Sequence, residues 1–242
     1  RKLVPNDKDF IITELGFKYL PNSPKGILNE QLKMADPYAD VSACMMVYES
    51  IYGIDMSAAI IQLMMAGYKG ALVWRLDDAM YMNYSSEGVK TNRWGFWNSL
   101  GTEAFGNAAD EELRPWFYPV SLLSRFFPNG STILNVTLQG NKDSLSGLYG
   151  IAAKKDNRYT IALVNTSSEE YTFDFKLNGG KLCKGMSFYK YIAKSRKNFI
   201  GQTNAETGFP EAYKKMDVDL SDGKSIELTM EACSFMLLTN MD

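Results

Sequence analysis

The run Asp9-Phe10-Ile11-Ile12-Thr13-Glu14-Leu15-Gly16 is apolar, reads as a buried strand, and stops on a carboxylate followed by glycine. Further along, Gly70-Ala71-Leu72-Val73-Trp74-Arg75-Leu76-Asp77-Asp78 repeats the pattern and ends on a tryptophan and two aspartates. A carboxylate and an indole at neighbouring strand ends suit a sugar. Splitting a glycosidic bond passes through a cation-like carbon, so one ionised carboxylate must attack or stabilise it while a second carboxyl protonates the leaving oxygen. Glu14 fits the first role. The apolar face of a sugar ring packs on indole, which makes Trp74 the candidate platform, and Asp77 or Asp78 can accept hydrogen bonds from hydroxyls. Tyr81, Trp94 and Trp97 follow in an irregular stretch that would border the same cleft. Arg75 and Arg93 either orient a carboxylate or form ordinary surface ion pairs.

Other chemistries are removed by composition. The chain has no histidine, which excludes Ser-His-Asp and Cys-His nucleophile systems and the commonest zinc and haem ligand. Cys44, Cys183 and Cys233 are too far apart for a Cys-x-x-Cys motif and read as buried thiols, with one Cys183–Cys233 bridge left open. Gly223-Lys224-Ser225 lacks the earlier glycine of a phosphate loop, Val218 standing in its place, and no Gly-x-Gly-x-x-Gly occurs. No metal or organic cofactor is implied. A formal net charge of -2 gives no electrostatic reason to bind nucleic acid, and no apolar run is long enough for membrane insertion. A neutral carbohydrate is the natural partner. Sequons begin at Asn83, Asn129, Asn135 and Asn165, a number that this much Asn, Ser and Thr makes uninformative.

The elements that must position these residues follow from period and punctuation. Pro5-Asn6-Asp7 is a turn into the first strand, and residues 17–35, with Pro21, Pro24 and Gly26, read as a long functional loop. Asp36-Pro37 is a helix start, with the helix running to about Tyr52. Asp55 then caps a second helical stretch with Met56, Ala59, Ile60, Leu63 and Met64 on one face, closed by Gly67. Gly70 to Leu76 is a strand of parallel-sheet character, completing a βαβ unit. Residues 81–110 are irregular, and Glu111 to Phe127 is a final helix closed by Pro128-Asn129-Gly130. Beyond that point the period changes to short β runs: 131–138, 147–153, 159–165, 171–177, 186–192, 226–230 and 231–239. Such spacing indicates an antiparallel β-sandwich, so the fold class is α/β followed by all-β, divided as 1–129 and 130–242.

Ile12-Thr13-Glu14-Leu15-Gly16, then a helix, then Leu72-Val73-Trp74-Arg75-Leu76-Asp77 resembles the seventh and eighth strands of the clan A glycoside hydrolases, retaining enzymes built on a (β/α)8 barrel. Arg114-Pro115-Trp116-Phe117-Tyr118 through Pro128-Asn129-Gly130-Ser131 resembles the clan's last helix running into a C-terminal β-sandwich. The resemblance implies that Glu14 is the nucleophile, that Trp74 lines the subsite of the reacting sugar, and that the protein is secreted, periplasmic or cell-surface. It also implies a general acid/base glutamate after asparagine at the fourth strand, which Asn29-Glu30, expected in a loop after the seventh-type strand, cannot be. A complete barrel takes about 250 residues, and residues 1–129 hold only its C-terminal portion. Two parallel strands alone leave open apolar edges, so the missing N-terminal part of the barrel or a completing chain is expected.

Two rivals remain at this level. A non-catalytic carbohydrate-binding protein would keep the aromatic cleft without a proton donor, and an upstream strand ending in Asn-Glu would argue against it. A structural or assembly module would work through its sandwich and would need neither Glu14 nor Trp74.

Overall fold

The computed structural model describes residues 8–134, 136–139, 145–178 and 180–241. The Pro5-Asn6-Asp7 turn and the Asn135 sequon lie outside them. Two strands, β1 (Ile11–Leu15) and β2 (Gly70–Val73), pair in parallel with Ile11 opposite Gly70, Ile12 opposite Ala71 and Leu15 opposite Val73. The register shifts between Ile12 and Leu15, next to Glu14.

Between them the structure corrects the expected loop. Residues Pro24–Ala35 form helix α1, with Pro24 in its first turn and the Ser23 hydroxyl accepting from the Gly26 amide at 2.8 Å. The punctuation that read as loop is a helix start. Gly26 is obligatory there, because a Cβ would lie 1.2 Å from the Leu20 carbonyl oxygen. Asn29 and Glu30 therefore sit on α1 rather than in a loop, with Asn29 fully buried and Glu30 paired to Lys33 at 3.0 Å.

No helix begins at Asp36. Asp36 ends α1 instead, its amide donating to the Leu32 and Lys33 carbonyls and its carboxylate accepting from the Tyr38 amide at 2.9 Å. Residues 37–44 make two turns, at 37–38 and 41–42, because distant backbone claims them: the Asp40 amide donates to Thr91 and the Cys44 amide to Arg93. After a short turn at Met45–Tyr48, helix α2 spans Ser50–Met65. Asp55 lies inside it, not at its cap, and its carboxylate takes the Tyr19 hydroxyl and the Lys25 ammonium. Gly67 has the expected positive φ, 80°. Buried residues occur on several faces of α2, Tyr52, Ile54, Met56 and Ile61 among them, as befits a helix wedged between two cores.

The stretch after β2 is less irregular than expected. It contains a hairpin, β3 (Met82–Ser85) and β4 (Gly88–Thr91), and the short helix α3 (Gly101–Phe105). The last helix, α4, covers Phe117–Phe126 and starts later than its apolar pattern implied, because Arg114 is drawn into a buried charge network.

Antiparallel strands follow: β5 (Thr132–Leu134), β6 (Val136–Gln139), β7 (Leu148–Lys155), β8 (Arg158–Asn165), β9 (Tyr171–Leu177), β10 (Leu182–Ser195), β11 (Asn198–Ile200), the short pair β12 (Gln202–Thr203) and β13 (Pro210–Glu211), β14 (Lys214–Asp219), β15 (Ile226–Met230) and β16 (Ser234–Thr239). The larger sheet has the order β11-β10-β16-β8-β7-β5 with β14 also on β10, and the smaller has β15-β9-β6. One face of the larger sheet shares a core with the smaller sheet through Phe173, Phe175, Met186 and Leu238. Its other face packs on α2 and α4 through Tyr191, Phe235 and Leu237 against Ile54, Ile61 and Phe126. Strand β16 is buried along its whole length because it feeds both cores. Ser50 seals the seam: its amide donates to Arg196 and its hydroxyl to Ser195, while its carbonyl accepts from the Tyr191 hydroxyl.

All three cysteines are free thiols, and burial pushes the Cys44 thiol up to about 11. Asn165 is fully buried with its amide donating to the Glu169 and Glu231 carbonyls, which closes that sequon to modification.

Candidate active site

Strand β1 turns Leu15 toward the core formed with α2 and leaves Glu14 on the open side, exposed. Among the described residues, no hydrogen bond or ion pair engages the Glu14 carboxylate. It is an accessible carboxylate at the carboxyl end of a strand. The Trp74 amide continues the ladder, donating to the Leu15 carbonyl at 2.8 Å, so the indole leaves the chain beside the strand end that carries Glu14. The Trp74–Arg75 peptide bond is cis.

Gly16 shows how closely the pieces approach. A Cβ at this position would lie 3.2 Å from the Trp94 ring and 3.3 Å from the Trp74 carbonyl oxygen. Tyr81 joins the group with its ring centroid 5.5 Å from that of Trp74, and the Arg75 guanidinium stacks 3.8 Å over the Tyr81 ring. The Trp94 indole N–H donates to the Ser42 carbonyl at 2.8 Å, tying the loop after α1 to this wall. Trp74, Tyr81 and Trp94 are thus brought to the strand end that carries Glu14.

The other candidates are engaged by the protein itself. Asp78 is 0% exposed, and its Oδ1 accepts from the Trp94 and Gly95 amides at 2.8 and 2.6 Å and from Arg75 at 3.2 Å. Its Oδ2 pairs with Arg114 at 2.7 Å. A carboxylate enclosed this way has no surface left for a sugar hydroxyl and instead holds the loop that carries Trp94. Asp77 shapes a turn, accepting from the Ala79 and Ser99 amides. Burial opposes its ionisation, but these hydrogen bonds outweigh it and hold the carboxyl below its ordinary range. Trp97 is half-buried with its ring against Phe96 and Phe117.

Beneath the aromatic wall lies a network that the sequence reading missed. Arg75, Arg93 and Arg114 are buried, not surface cations, and meet the carboxylates of Asp36, Asp78 and Asp110, three charges against three. The Tyr48 hydroxyl donates to Asp110, and burial pushes that phenol up, so it stays a donor. Asp110 and Arg114 are four residues apart and Arg75 and Asp78 three, the local cues to the network in the sequence.

The network makes stability acid-sensitive. Burial works against a charged Asp110, but the Arg114 and Arg93 guanidiniums outweigh it and hold the carboxyl below its ordinary value of 3.8. Unfolded, the group takes up a proton near that value while the folded form stays ionised, so the unfolded state binds more protons and acid destabilises the fold. The urea midpoint is expected to hold steady above about pH 5 and to fall as pH drops below about 4. Asp110→Asn should flatten that part of the profile.

Among the described residues no three His, Cys, Asp or Glu side chains gather as a metal-ligand set, and no helix is long and apolar enough to cross a membrane.

No family model and no curated protein sequence matches the chain. Solved structures do. A glycoside hydrolase family 30 endoxylanase from Clostridium papyrosolvens is similar over 96% of this chain and 42% of its own length, with 14% identity and a TM-score of 0.51. A family 30 subfamily 8 xylanase from Clostridium acetobutylicum matches 96% of this chain and 42% of its own, with 13% identity and a TM-score of 0.50. A conserved exported protein from Bacteroides fragilis matches 96% and 39%, with 12% identity and a TM-score of 0.52. The chain spans about two-fifths of the length of these structures, and at such identity the likeness is one of fold: a glycosidase-like arrangement of helices and mostly sheet.

Proposed function

We propose that the chain is the C-terminal part of a retaining glycoside hydrolase that cleaves O-glycosidic bonds of a poly- or oligosaccharide, with residues 1–129 belonging to a (β/α)8 barrel and residues 130–242 to a β-sandwich. The observation that carries the reading is the arrangement at the strand ends: Glu14, exposed and engaging no partner among the described residues, lies two positions before Gly16, which the Trp94 ring approaches, and the paired Trp74 and Tyr81 rings follow the neighbouring strand. In this reading Glu14 attacks the anomeric carbon as the C–O bond breaks, and the departing oxygen takes a proton from an acid supplied by the missing N-terminal part of the barrel or a completing chain. Water, activated by the same acid in its deprotonated form, then hydrolyses the glycosyl ester, and retention requires the two carboxyls about 5 to 5.5 Å apart. Asp77, held ionised at the rim, can accept from a hydroxyl, whereas Asp78 and Trp97 act as supports. Two of the similar structures are xylanases, so xylan is the first substrate to test, and export from the cytoplasm fits an enzyme acting on a polymer.

The test is hydrolysis of xylan and of β-glucan by the protein joined to its upstream segments, with product configuration read by NMR. Retained configuration supports the reading; binding without cleavage by a protein that carries a candidate acid would favour a carbohydrate-binding role. Trp74→Ala is expected to weaken oligosaccharide binding about tenfold, the loss of an aromatic face worth roughly 1 to 1.5 kcal/mol. Titration calorimetry with xylohexaose measures it.

A further inference from the structure

We infer that Tyr52 and Cys44 are positioning residues for Glu14, clamping the backbone of Phe17 and with it the end of β1. The need for a clamp lies in the strand itself. The pairing register of β1 on β2 shifts between Ile12 and Leu15, across the position of Glu14, and the ladder ends at Leu15, whose carbonyl accepts from the Trp74 amide. Regular pairing therefore does not fix the backbone around Glu14. The next anchored residue is Phe17: its amide donates to the Tyr52 hydroxyl at 3.2 Å and its carbonyl accepts from the Cys44 thiol at 3.1 Å. The anchors at Leu15 and Phe17 bracket Gly16, the residue type with the most backbone freedom to lose. Displacing a reacting group by about 1 Å can cost about a hundredfold in rate, so what holds this short segment bears on the chemistry.

The clamp is built on rigid parts. Tyr52 is fully buried on α2, its ring edge-on to Trp116 at 5.4 Å and to Phe17 at 6.5 Å. Trp116 in turn stacks on Phe96 at 3.8 Å, and its indole N–H donates to the carbonyl of Gly95, the residue after Trp94. The end of β1 and the loop that carries Trp94 are thereby tied to one aromatic frame. Asp55, three residues beyond Tyr52 and so on the same face of α2, takes the hydroxyl of Tyr19, two residues beyond Phe17. Burial pushes the Tyr52 phenol up and the Cys44 thiol up to about 11, so both keep their protons and the thiol keeps the hydrogen that it donates. A hydroxyl and a thiol sunk among methionines and aromatic rings are costly unless bonded, and packing alone would be served by phenylalanine and alanine. Phe17 supplies the bonds.

This role rests on Glu14 being the nucleophile, and the test separates the two claims. The protein joined to its upstream segments is treated with a 2-deoxy-2-fluoro xyloside bearing dinitrophenolate, and the limiting rate of labelling at Glu14 is followed by mass spectrometry. Tyr52→Phe should slow that rate about tenfold and Cys44→Ala about threefold, with the half-saturating reagent concentration changed by less than about twofold. Cys44→Ser keeps a donor and should stay within about twofold of the unaltered enzyme. Thr160→Val, which removes a buried hydrogen bond to Thr239 in the sandwich, should lower the urea midpoint without slowing the label. A Glu14 label that forms as fast in Tyr52→Phe as in the unaltered enzyme, or a slowing that Thr160→Val reproduces, would overturn the clamp and leave Glu14 the nucleophile. Should Tyr52→Phe fail to fold, equal labelling rates in Cys44→Ala and Cys44→Ser would overturn it. A label on another residue of the unaltered enzyme, or no label at all, would overturn both claims.

Discussion

Glu14→Gln is expected to lower kcat of the complete enzyme by roughly 10^4-fold or more, the scale seen when a covalent nucleophile is removed from a site that otherwise still binds. An amide of nearly the same shape accepts the same contacts but cannot form the glycosyl ester, so KM should change little. Stability should change by no more than about 0.5 kcal/mol, because Glu14 is exposed and engages no partner among the described residues. The split matters. A carboxylate that merely bound substrate would shift KM and leave kcat within about tenfold, and a structural one would lower the unfolding midpoint. Steady-state kinetics beside urea unfolding separates the three outcomes.

Asp78→Ala should act on stability instead, costing about 3 to 5 kcal/mol. The carboxylate is fully buried and serves two guanidiniums and two backbone amides. Deleting it strands Arg75 and Arg114 as buried cations with too few counter-charges and leaves the Trp94 and Gly95 amides without acceptors. Asp77→Ala, one residue away, loses hydrogen bonds that shape a turn but strands no buried cation, and should cost about 1 kcal/mol. Urea unfolding followed by tryptophan fluorescence compares the two. Equal losses would mean that the charge network does not hold the aromatic wall.

These neighbours show what the chain's sequence could and could not disclose. Asp77 and Asp78 are the same residue type after the same strand, and nothing local distinguishes the turn former from the buried hub. The distinction is made by Arg114, Trp94 and Gly95, which only the fold brings near. Strands were legible where one physical signal governs them: 171–177 and 226–230 alternate cleanly, and β16 is apolar throughout because both of its faces are covered. β14 escaped notice because Lys214, Lys215, Asp217 and Asp219 mask the two inward residues Met216 and Val218. Around α1 the cues were present and misread. Ser23-Pro24 is a cap followed by a first-turn proline, while Asp36-Pro37, the same chemistry, ends a helix because Thr91 and Arg93 claim the backbone that follows. The strand-end positions of Glu14 and Trp74 were legible because a polar or aromatic group terminating an apolar run is a local pattern. The ring of Trp97, turned to Phe96 and Phe117, was not.

The central claim is that the Glu14 carboxylate forms a bond to the anomeric carbon. A 2-deoxy-2-fluoro xyloside carrying dinitrophenolate as its leaving group tests it most directly, because that group departs without needing a proton while the fluorine slows hydrolysis of the ester. After the active full-length protein is inactivated with this reagent and digested, mass spectrometry should find the fluorosugar on the peptide containing Glu14 and on its side chain. A label on any other residue, with activity lost in step, would contradict the account.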